Sequence, residues 1–163
     1  MGYTHYWNRK EKKPIDRNLV STMVNKTQQI LKSTDFFNLC SYESDMVLTP
    51  PIIGKDFIRF NGKGESGHET FYLGFMSSDR DFNFCKTAHK NYDFYVCVVL
   101  LLLVYYLDDY FFVRSDGFEK PESDYPKFDS NWLEAKILLN QNGLNFEINL
   151  TGENGYTNLV VKK

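Results

Sequence analysis

The chain has 163 residues, 42% of them hydrophobic and 25% charged, which is the composition of one ordinary globular domain with enough apolar material for a core. A formal net charge of −2 and a pI near 5.9 provide no global field toward duplex nucleic acid, so any phosphate recognition has to be local. Cys40, Cys85 and Cys97 are odd in number and lack CxxC spacing. With no signal-peptide pattern before Gly2, they set the expectation of a reduced, cytoplasmic protein without disulfides.

In chain order, the first segment reads as a strand whose alternation puts Tyr3, His5 and Trp7 on one side and Thr4 and Tyr6 on the other. An imidazole between two large rings is either a packed core edge or the wall of a pocket for something flat, such as a nucleobase. Arg9, Lys10, Lys12 and Lys13, interrupted by Glu11, form a solvated basic flank. Pro14 and Asp16 then mark a helix start, and Leu19, Val20, Met23, Val24, Thr27, Ile30 and Leu31 share one face of a helix running to about Lys32. From Ser33 to Lys55 there is no sustained period; Pro50 and Pro51 forbid helix, and Met46 to Leu48 allow only a short strand.

Residues 56–61 and 68–75 read as a hairpin around the glycine-rich loop 62–67, which brings Asn61 and His68 to one end. Met76 to Phe82 is polar and loop-like, and residues 83–90 lead into a central helix with Asn91 or Asp93 as cap. Lys86, Thr87 and Lys90 near that helix start invite an anion. The apolar run Phe94 to Leu107 is shorter than the roughly 20 residues needed to cross a bilayer and ends at Asp108 and Asp109, so it reads as a buried core helix and no membrane partner is expected. Tyr110 to Arg114 is a strand closed by Ser115, Asp116 and Gly117. Residues 118–130 form a loop containing Pro121 and Pro126, and Trp132 to Leu139 give a short helix that stops at Asn142 and Gly143. Residues 144–150 and 157–161 form a last hairpin. The fold class is α+β: one domain over 1–163, with three helices and about six strands in a largely antiparallel sheet.

Only three histidines are present, His5, His68 and His89, and no spacing fits a zinc site, so neither metal nor cofactor is expected. A GxSxG elbow is missing, and Cys85 beside Lys86 reads as a packing residue rather than an activated thiol. The constellation that remains is His5, His68 and Lys86. Two imidazoles serve as acid and base near neutral pH and a lysine stabilises a phosphorane, which suffices for metal-free cleavage of a phosphodiester beside a 2′-hydroxyl. Tyr3, Trp7 and Tyr92 can stack bases, Asn61 and Glu69 can read base edges or orient the imidazoles, and Thr87 and Lys90 can add phosphate contacts.

Several separated motifs occur in one order: the opening MGYTHYW, IRFNG at 58–62, HETF at 68–71, FCKTA at 84–88 followed by Tyr92 and Asp93, and SDG at 115–117. In these the chain, from residue 1 to about 140, resembles a group of small proteins from bacteriophages and their bacterial hosts. It departs from them in the glycine loop and in the Tyr- and Phe-rich stretch 105–112. The resemblance implies, by analogy with small phage accessory factors, a protein that counters host defence by handling a nucleotide immune signal such as a cyclic dinucleotide or an ADP-ribose derivative. Three expectations follow: cleavage of that signal by His5, His68 and Lys86; sequestration of it without chemistry; or inhibition of a host protein through an aromatic surface. A symmetric homo-oligomer can complete the pocket in any of them.

Overall fold

Residues 4–9 alternate between polar and bulky side chains, and this pattern makes them a strand with two different faces. In the computed structural model, which describes residues 2–41, 49–119, 126–153 and 155–163, strand β1 (Thr4–Arg9) is the middle of the main sheet. It pairs antiparallel with β5 (Phe82–Lys86) on one side and β6 (Phe111–Ser115) on the other. His5 stands between Cys85 and Ser115, Trp7 between Asn83 and Val113, and Tyr6 between Phe84 and Arg114.

Helix α1 (Arg17–Leu31) begins where the Asp16 side chain accepts the Asn18 N–H at 2.8 Å, and it buries Val20, Met23, Val24, Thr27, Ile30 and Leu31. Helix α2 (Asp93–Leu107) is apolar around its whole circumference. It is packed by α1, by α3 (Ser130–Gln141), by β6 and by β10 (Tyr156–Lys162), which bury most of its surface and leave Phe94, Tyr95, Tyr105 and Tyr106 partly exposed. That environment explains the uninterrupted apolar run, and no helix among the described residues is long and apolar enough to cross a membrane. Helix α3 stops as expected at Asn142, with Gly143 in the left-handed region at φ 87°.

The hairpin expected at 56–75 is present as β3 (Phe57–Phe60) and β4 (Phe71–Gly74), extended by the short β2 (Ile52–Ile53). The final hairpin is β9 (Glu147–Glu153) paired with β10 in full register. A two-stranded ribbon, β7 (Phe118–Glu119) with β8 (Lys127–Phe128), lies in the expected loop 118–130. The possible strand at Met46 to Leu48 lies outside the described residues. The described residues thus form three α-helices and ten strands in small antiparallel sheets, an α+β fold. One element is a correction: residues 82–86, read as loop and helix lead-in, are β5. Its exposed Phe82 and Phe84 alternate with the less exposed Asn83 and the buried Cys85, a two-residue period too short to stand out among polar neighbours.

Candidate functional site

The two faces of the main sheet are chemically distinct, and the expected catalytic residues divide between them and the adjoining hairpin. On the inner face His5 is fully buried. Its Nε2 donates to Asp93 Oδ1 at 2.6 Å, and its Nδ1 lies 2.8 Å from Ser115 Oγ. Asp93, the first residue of α2, also accepts from the Thr87 hydroxyl and from Asn131 Nδ2 at 2.7 Å. Burial alone would raise the Asp93 carboxyl; hydrogen bonds from His5, Thr87 and Asn131 outweigh it and hold the group below the usual carboxylate range. Ser115 Oγ in turn accepts from the Gly117 N–H at 2.9 Å and from Trp132 Nε1 at 3.3 Å.

Around this network the aromatic rings close. Tyr3 meets His5 edge-on at 5.1 Å and Trp132 does so at 5.4 Å. Tyr3 also stacks on His89 at 3.6 Å. Burial, with the Asp129 carboxylate beside it, pushes the Tyr3 phenol far above its ordinary range. Ala88 and His89 both adopt left-handed backbone, at φ 51° and 57°, a cost of about 1–2 kcal/mol each for side-chain-bearing residues. The Tyr3 carbonyl, accepting from Thr87 and Ala88 N–H at 3.0 and 3.4 Å, holds that turn and delivers Thr87 to Asp93. Of the groups expected to hold an anion at this helix start, Thr87 gives its hydroxyl proton to the chain's own Asp93 carboxylate.

His5, Asp93 and Cys97 also carry donor atoms that all lie within 4.8 Å of one another. A proton already occupies the short space between His5 and Asp93, and burial pushes the Cys97 thiol up, so a metal ion would have to displace both protons.

His68 belongs to a second network. Its Nδ1 lies 2.9 Å from the Lys86 carbonyl, while Glu69 Oε2 accepts the Lys86 N–H at 2.7 Å. The Tyr92 hydroxyl donates to the Glu69 carbonyl at 2.6 Å. Asn61 donates to the His68 carbonyl at 2.8 Å and accepts the N–H groups of Gly62 and His68. The structure brings His68, Glu69, Lys86, Tyr92 and Asn61 close together through bonds that run to backbone and tie the 61–69 loop to β5. His5 is buried, and its bonds run to Asp93 and Ser115 rather than to His68 or Lys86. Tyr3, Trp7, Asn61, Thr87 and Tyr92, expected to touch ligand, are buried, and Trp7 packs on Phe71 at 4.8 Å. Lys86 lies along Gly2, where a Cβ would stand 2.8 Å from Lys86 Cε. Lys90 is half-buried, its N–H bonded to the Thr87 carbonyl at 3.0 Å.

Apart from Lys86, the outer face carries none of the residues expected from the sequence to be functional. There the strand register lays two rows across the sheet, Phe84–Tyr6–Arg114 and Phe82–Asn8–Phe112. Phe82 and Phe84 are half-exposed, and so is Tyr156 from the last hairpin, whose ring lies 4.1 Å from the Arg114 guanidinium. Arg114 also covers Tyr6 at 5.0 Å, and Lys10 Nζ sits 4.7 Å over Phe112. Phe82, Asn8, Phe112, Tyr156 and Asn158 line an open groove of about 340 Å³. Arg9 and Asp81 at its end are shared with a second, polar groove of about 420 Å³ that adds Lys12, Lys13 and Arg80. An available signal was the alternation within each strand, but with aromatic residues on both faces it did not identify which face is covered.

Compared with family models, with curated proteins and with solved structures, the chain matches none.

Proposed function

We propose that this protein binds a small nucleotide on the outer face of its main sheet and sequesters it without cleaving it, as an accessory factor of the phage type that withdraws a nucleotide signal from host defence. The observation that carries this reading is the junction of the two grooves at Arg9 and Asp81: exposed rings on one side, clustered cations on the other. A base stacks on Phe82, Phe112 or Tyr156, and phosphate oxygens reach Lys12, Lys13 and Arg80. The existing ion pairs there are weak competitors. Lys12 lies 3.5 Å from Asp81 and Lys13 3.7 Å from Glu11, and such solvent-exposed pairs are worth at most about 1 kcal/mol. Sequestration is favoured over hydrolysis because His5 is fully buried and neither His5 nor His68 lines the two grooves.

The half-exposed Phe82 and Phe84 on β5 favour a second reading, a docking surface for a host protein. Incubation with cyclic dinucleotides and ADP-ribose derivatives, followed by chromatography and mass spectrometry before and after heat denaturation, separates the readings. Ligand depleted from solution and released unaltered on heating is the expected result. A product of altered mass restores cleavage, and no depletion shifts the account to the protein partner.

A further inference from the structure

We infer that the base held in the aromatic groove is guanine, read by the carboxylate of Glu153 and the amide of Asn158; this rests on the nucleotide reading above. Asn158 is only 6% exposed and lines the groove, and its side-chain amide makes no hydrogen bond among the described residues. Its amide atoms are not sealed from water, and the groove that Asn158 lines is the side from which a partner can arrive. Glu153 is directly paired with Tyr156 across the end of the last hairpin, which sets its carboxylate beside the exposed ring. It makes no ion pair among the described residues, whereas the groove's other carboxylate, Asp81, is engaged by Lys12.

The donor and acceptor order of the bases decides between them. Guanine presents N1–H and N2–H side by side, and the two oxygens of one carboxylate accept both, while its O6, next in line, accepts from an amide N–H. Adenine and cytosine present one amino donor beside a ring-nitrogen lone pair, which a carboxylate repels. Uracil presents a single N–H between two carbonyls. A groove with stacking rings, one uncommitted carboxylate and one uncommitted amide is therefore matched to guanine and mismatched to the others.

The test is equilibrium binding of GMP against AMP, and of cyclic di-GMP against cyclic di-AMP, to the full chain and to Glu153→Gln. Glu153 is exposed, so the variant should fold as the parent does. The guanine ligand of each pair should bind roughly tenfold more tightly or better, as a bidentate pairing provides, and Glu153→Gln should bring it down to the adenine level. Equal binding of guanine and adenine ligands overturns the guanine assignment and leaves nucleotide binding standing. A preference that survives Glu153→Gln overturns Glu153 as its reader. Absence of binding by all four overturns the nucleotide reading itself.

Discussion

The two faces of β1 use similar residues to opposite ends. On the inner face Tyr3, His5 and Trp7 are buried, and His5 is linked through Asp93 to Thr87 and Asn131 and through Ser115 to Gly117 and Trp132. On the outer face Tyr6 stacks on Phe82 and lies under the Arg114 guanidinium, while Phe82, Phe112 and Arg114 line a water-facing groove. The contrast teaches that a strand can turn one set of polar and aromatic groups to joining elements and leave the other set facing water. The inner polar network joins β1, the turn before α2, α2 itself, β6 and α3, which is a structural assignment. The outer face has rings and cations in reach of a ligand.

The largest effect expected from breaking this division is on the inner side. His5→Ala leaves the Asp93 carboxylate buried without its main partner and should cost about 3–5 kcal/mol of stability, measured by urea unfolding, a large part of a typical domain's total. The same network sets an acid limit. Because the folded-state Asp93 value lies below its usual 3.8, its contribution is fully present above the unfolded value and is lost as pH falls through the lower folded one. The urea midpoint should therefore drop with acid below about pH 4, and Asp93→Asn should remove that part of the dependence.

A smaller effect is expected at Gly117. A Cβ there would stand 2.1 Å from the Tyr3 hydroxyl and 3.1 Å from Trp132 Nε1, so Gly117→Ala should cost about 1–3 kcal/mol by overpacking, again read by urea unfolding. On the outer side, Phe82→Ala or Tyr156→Ala should change stability by no more than about 0.5 kcal/mol, yet weaken nucleotide binding by about 1–3 kcal/mol for each stacked base lost, as titration calorimetry would show.

Much of the fold was legible because its signals are local. Asp16 with the apolar stripe through Leu31 marks α1, the unbroken apolar run marks α2, and Gly143 marks the end of α3. Strand β5 was not, because Phe82 and Phe84 look like loop residues until β1 is placed beside them. The site was harder for the same reason. His5, His68 and Lys86 carry reactive groups, and sequence reasoning finds reactive groups. Whether a group is free depends on partners far along the chain, such as Asp93 for His5, 88 positions away. Asn158 and Glu153, by contrast, lie in an ordinary hairpin and gain meaning only when that hairpin packs against β6.

The most direct test places one inner and one outer change side by side: His5→Ala and the Phe82→Ala, Tyr156→Ala double variant, each measured for urea stability and for cyclic dinucleotide affinity below its unfolding transition. The account predicts a crossed result, with stability lost and affinity kept in the folded fraction for the first, and stability kept and affinity lost for the second. Binding that vanishes in a folded His5→Ala protein but persists in the outer-face variant would contradict it and return the site to the inner face.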